Sequence, residues 1–243
     1  MDLEANLRSY LDGGTNSDGR EPNARYASFD YCFNYFQSFR DSGNVCALAS
    51  SANVQISCLH LGFYLASWGM FRGSTELLQK SVRSLIPVIE AVARTDASFW
   101  EIDADCYTES NIQHLLEVAG TIRDVLPGMS PTLLTKIMLG VFGSVPAFDT
   151  NFRAACKSEG TVQTFGSKAL RKIGAFYKSN AALIDAHRMP TLDFISGGHT
   201  QRCYTRAKVI DMAFFIEGEK KLEQSAKLNE LAKLAAAQTK VLA

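Results

Sequence analysis

A chain of 243 residues is long enough to bury the core of one domain, of one or two lobes. Its hydrophobic fraction of 47% is ordinary for a globular protein. No run approaches the roughly 18 apolar residues of a membrane span, and the opening MDLEANLRSY lacks the basic-then-apolar order of a signal peptide. A cytoplasmic, monomeric protein with no membrane contact is therefore expected. Lys+Arg and Asp+Glu number 25 each, which excludes a uniformly basic or acidic protein, and six scattered cysteines with no CxxC pair point to buried thiols rather than metal ligands. No metal and no cofactor is expected.

In chain order, residues 1–25 contain GGTNSDGREPN and read as a flexible N-terminal arm, with order beginning near Tyr26. SFDYCFNYFQSFR places Phe29, Phe33 and Phe36 at helical spacing, with Asn34 and Tyr35 as candidates to look into a pocket. Gln55–Phe71 is apolar nearly all round and predicts a buried helix. RGST breaks the chain, and ELLQKSVRSLIPVIEAVA predicts a second helix, kinked or divided at Pro87, that closes a helical hairpin. TESNIQHLLEVAGTIRDVL predicts a further helix capped at Thr108 or Ser110. Helices also follow residue 150, with ISGGHT as the clearest loop, and no stretch alternates convincingly as a strand. The fold class predicted for residues 26–243 is all-α.

The most informative segment is LPGMSPTLLTKIMLGVFGSVPAFDTNFRAA, from Leu126 to Ala155. Pro127-Gly128-Met129-Ser130 predicts a tight turn, and Ser130 followed by Pro131 predicts a capped helix start. Leu133, Leu134, Ile137, Met138 and Val141 predict one buried helix face. Gly143 and Pro146 end that helix, and Asp149 starts the next. Such a turn leaves backbone N–H groups at a helix start, where they can hold a phosphate oxygen. An ordinary helical hairpin would show the same spacing.

Charge adds an asymmetry. Residues 151–210 carry 10 Lys/Arg against 3 Asp/Glu, about +7 in sixty residues, whereas residues 1–150 carry 10 against 17. A basic segment on an acidic body can form a phosphate-binding face, because local potential steers a polyanion; a solvated lysine-bearing surface is the plainer alternative. The side chains available are Arg153, Lys168, Arg171, Lys172, Arg202, Arg206 and Lys208.

Leu126-Pro127-Gly128, followed 21 residues after that glycine by Phe148-Asp149-Thr150-Asn151, resembles the LPG-V-G hairpin and the V-D-T-H segment of the helix-hairpin-helix DNA glycosylases. The resemblance implies a helix-hairpin-helix glycosylase-like helical domain with its hairpin at 126–149. It also implies double-stranded DNA as partner and Asp149 as the carboxylate that stabilises the cationic sugar while a flipped base leaves. Gly128, Met129, Ser130, Thr132 and Lys136 would face the DNA backbone from the hairpin, and Arg72, Arg153, Lys172 and Arg206 would add phosphate contacts. Trp68 and Phe71, at the helix break Trp68–Arg72, would wedge into the duplex or line the base pocket. Ser130 replaces the family's second hairpin glycine, Asn151 its histidine, and Thr132 the lysine of members that also cut the strand. The resemblance thus implies a monofunctional glycosylase that leaves an abasic site. The target base stays open between a hypermodified (glucosylated hydroxymethyl) cytosine of phage DNA, in anti-phage defence, and an alkylated or oxidised base in repair. A non-catalytic helical DNA-binding module and a helical protein-interaction domain are the rival readings.

Overall fold

The computed structural model describes residues 1–12, 19–73 and 75–241, with side chains described as far as residue 234. Its helices are α1 (Leu3–Leu11), α2 (Ala27–Asp41), α3 (Val54–Ser67), α4 (Ile86–Ala93), α5 (Glu109–Asp124), α6 (Pro131–Phe142), α7 (Thr150–Ser158), α8 (Ser167–Ala186) and α9 (Arg206–Val241). Between α8 and α9 lies an antiparallel pair, β1 (Pro190–Leu192) and β2 (His199–Cys203), in which Pro190 faces Cys203 and Leu192 faces His199. The chain is thus largely helical, but a strand pair forms where none was predicted. Three of its pairing residues, Thr191, Thr200 and Arg202, carry polar side chains, and Asp30 and Asn34 of α2 accept from or donate to β1. Pairing is decided there by hydrogen bonds rather than by an alternating apolar face.

Capping residues set the helix boundaries as the sequence predicts in three places. Thr108 accepts from the Asn111 N–H at 3.2 Å, Ser130 from Leu133 at 3.1 Å, and Asp149 from Phe152 at 3.0 Å. The second helix of the expected hairpin after Arg72 forms only in part. Residues 76–79 form a turn, Val82–Leu85 is a 3-10 turn, and Pro87 sits in the first turn of α4, where its missing N–H costs nothing.

The expected N-terminal arm also differs. Leu3, Leu7 and Tyr10 fall on one face of α1 and are buried against α9, while Asn6 donates to Glu217 at 2.9 Å and accepts from Lys220 at 2.7 Å. Gly13–Asp18 of that arm lie outside the described residues. The body is organised around α6, whose residues 133–142 are all buried because α2, α3 and α5 pack around it, so it buries more than the one face that periodicity predicts. Conversely α3, expected to be buried all round, leaves Ile56, Leu59 and Phe63 exposed. Among the described residues no helix is long and apolar enough to cross a membrane. Of the cysteines, Cys46 is exposed rather than buried, while burial pushes the Cys156 thiol up to about 12.

Candidate functional site

A tight turn joins α5 to α6. Met129 N–H donates to the Leu126 carbonyl at 3.2 Å, with Pro127 and Gly128 between them and Gly128 at φ +82°, the geometry of a type II turn that glycine favours at its third position. Gly128 and Ser130 are exposed, but the Met129 side chain is buried and its N–H is already given to Leu126, so Met129 does not supply the phosphate contact expected of it. Glu76 stands beside Gly128, close enough that an added Cβ would lie 3.0 Å from its carboxylate, and a phosphate docking on this turn must displace it.

From the hairpin α6 runs inward to the segment 143–149, which is fastened on three sides. The Thr132 hydroxyl donates to the Phe148 carbonyl at 3.0 Å, the Thr135 hydroxyl accepts from the Phe148 N–H at 2.9 Å, and Asp211 of α9 accepts from the Ala147 N–H at 2.9 Å. Lys208 holds Asp211 at 3.1 Å and also donates to the Tyr10 hydroxyl at 3.1 Å. Burial, and next the charge of Asp211, push the Tyr10 phenol well above its ordinary range and keep it protonated.

These ties place Asp149 at the start of α7 with each carboxylate oxygen held: Oδ1 by the Phe152 N–H and Oδ2 by Lys136 Nζ at 3.0 Å. Asp149 opens onto a cavity of about 380 Å³ whose walls include Arg25, Trp68, Arg72, Thr132, Lys136 and Phe215. Trp68 stacks on Tyr26 at 5.3 Å between ring centroids and donates its indole N–H to Ser28 at 3.1 Å. The cations Arg25 and Lys136 lie 5.1 and 5.3 Å from its ring. An aromatic wall, a fixed carboxylate and several cations thus share one opening.

The structure therefore brings Asp149, Thr132, Lys136, Arg72 and Trp68 together, and it corrects several individual expectations. Lys136 is 3% exposed and paired with Asp149, so it makes no phosphate contact on the outside of the hairpin. Arg206 is neutralised by Asp103, Asp105 and Asp185. Lys208 is buried, while Arg171 and Arg202 pair with Glu109 and Asp41. Of the seven side chains named for the basic segment, Arg153, Lys168 and Lys172 are left on the surface with no ion pair among the described residues, and Lys172 borders a different, mainly apolar cavity of about 260 Å³ between α7, α8 and α9.

Asn34 and Tyr35 do not reach the Asp149 cavity. Asn34 binds Leu192, Thr191 and Arg202, pinning the strand pair to α2, and Tyr35 stacks on His60 at 4.1 Å. Phe71 packs half-buried against the core rather than lining the cavity.

Sequence reasoning missed Arg25, which falls in the stretch read as an arm, Phe215 on α9, and the buried pairing on α9 of Asp211 with Lys208, a lysine counted there as a phosphate contact. The signal for the last two was their three-residue separation in an otherwise apolar helical stretch. A lone lysine in TLLTKIMLGVF was the matching signal for Lys136.

No family model, curated protein or solved structure matches the chain. The likeness to the glycosylases rests on the residues of 126–151, and the site rests on its own geometry.

Proposed function

We propose that the chain is a DNA N-glycosylase that removes a modified base from double-stranded DNA and leaves an abasic site. The observation that carries this reading is the Asp149 carboxylate, fixed by two hydrogen bonds at the mouth of a cavity with an aromatic wall. Cleavage of an N-glycosidic bond develops positive charge on the sugar, and a carboxylate that need not reorganise stabilises that charge most. The Trp68 wall offers a stacking surface to an extruded base, and Arg25 and Arg72 offer cations to the flanking phosphates. The exposed turn at Gly128 and Ser130 supplies a second phosphate contact through backbone N–H groups.

A second reading has an observation of its own. The cap to Phe152 and the pair to Lys136 also suit a purely structural carboxylate, as in a DNA-binding module without chemistry. The test is to incubate the protein with duplexes holding alkylated, oxidised or glucosylated bases and then treat with alkali. Strand breaks are expected with at least one class and none with Asp149→Asn. Binding to every duplex without breaks in any would establish the structural reading instead.

A further inference from the structure

The exposed face of α3 has no place in the chemistry proposed above. Ile56, Leu59, Phe63 and Ala66 stand along it at spacings of three, four and three residues, the seam of a helix that packs against another helix. Phe194, from the loop between β1 and β2, stacks edge-on against Tyr31 and closes one side of an apolar groove of about 420 Å³ over Ile56, Leu59 and Phe63. Phe63 is 64% exposed, Phe194 73% and the next residue, Ile195, 94%. With Ile56 and Leu59 these side chains offer about 600 Å² of apolar surface, taking about 200 Å² for each when fully open. That is the most a monomer ordinarily leaves uncovered, and two such faces together would bury about 1,200 Å², the lower limit of a stable protein–protein interface.

Charge selects the occupant. α3 holds no Lys, Arg, Asp or Glu, and burial keeps the His60 pKa below its ordinary value, so the face is uncharged at neutral pH. A surface that meets its own copy across a two-fold axis must not carry a single sign of charge, and this one satisfies that condition. A second uncovered row, Leu228, Leu231 and Leu234 of α9, is interspersed with Lys227, Glu230 and Lys233, which would find no countercharge on α3. We propose that the chain forms a two-fold homodimer, not the monomer expected from its sequence, in which α3 packs antiparallel on α3 of a second copy and Phe194 and Ile195 close the rim. Dimer formation is independent of any glycosylase activity.

The experiment is sedimentation equilibrium of the full chain from about 1 to 100 µM, the range in which an interface of this size associates. The expected particle has twice the mass of the chain, and its affinity does not fall as salt is raised, because no charges are paired across the seam. Phe63→Asp, at an exposed position, is expected to keep the far-UV circular dichroism of the wild type and to weaken the dimer more than about tenfold, since the two-fold axis places the new charge in the interface twice. Leu231→Asp is expected to leave the dimer intact. A monomer throughout, a dimer indifferent to Phe63→Asp, or a dimer lost with Leu231→Asp each overturns the proposal. A second measurement needs no disruption of the face. In a Cys46→Ser background, which removes the exposed thiol, Leu59→Cys treated with a short bismaleimide is expected to give a covalent dimer joined at the introduced thiols. Absence of that product overturns the antiparallel seam.

Discussion

Replacing Asp149 by asparagine separates its structural from its chemical role. The amide oxygen can still accept from the Phe152 N–H, so the helix cap is kept, while the partner of Lys136 loses its charge. The Lys136 side chain is 4% exposed and that of Asp149 17%. Breaking a buried pair by removing one partner costs about 3–5 kcal/mol, because the other charge stays desolvated, and the partial exposure of Asp149 places Asp149→Asn near the lower end, at about 3 kcal/mol. Lys136→Met leaves the better-hydrated partner behind and should cost about 1–2 kcal/mol. The double variant removes both charges and should lie within about 1 kcal/mol of wild type. Urea unfolding followed by circular dichroism at neutral pH measures all three. Additive losses in the double variant, or single variants within about 0.5 kcal/mol of wild type, would refute the buried-pair account. Base release, in contrast, should stay absent in the double variant although its stability returns.

Two further outcomes follow from packing and from burial. Gly218 of α9 crosses the backbone of Asn151 so closely that an added Cβ would overlap the Asn151 carbonyl. Gly218→Ala in a free helix would gain about 1 kcal/mol, but here it should lower stability by about 2 kcal/mol and shift the start of α7 with Asp149 on it. A raised urea midpoint would disprove the close contact. Burial lowers the pKa of His60, which stacks on Tyr35, below its ordinary 6.5. The unfolded chain then takes up a proton before the folded one, so stability present above about pH 6.5 is lost as pH falls toward the folded value. His60→Phe should flatten that part of the stability profile, and an unchanged slope would locate the titration elsewhere.

Much of the local structure was legible. Thr108, Ser130 and Asp149 cap helices because short polar side chains reach the N–H groups of the following turn, and Gly128 and Gly143 take positive φ where a turn and a helix end demand it. The candidate site was legible only in part. Asp149, Thr132, Arg72 and Trp68 share the cavity, whereas Asn34 and Tyr35 serve the strand pair and a ring stack on another face. Spacing along a helix says which residues share a face but not what that face meets.

What the sequence by itself determined is the helical class, the hairpin turn and the cap at Asp149, all of which depend on interactions within a few residues. Only the tertiary structure decided that α1 docks on α9 instead of forming an arm, that α6 is enclosed on every side, and that Lys136 turns inward to Asp149. It also decided that Arg206 and Lys208 of the basic segment are spent on carboxylates of the fold. The physical reason is the same in each case. Burial and ion pairing are set chiefly by partners tens to hundreds of residues away, and even Lys208, three residues from Asp211, is enclosed by Tyr10 and Phe29 of other helices, so a charge counted along the chain carries no record of whether a partner has already neutralised it.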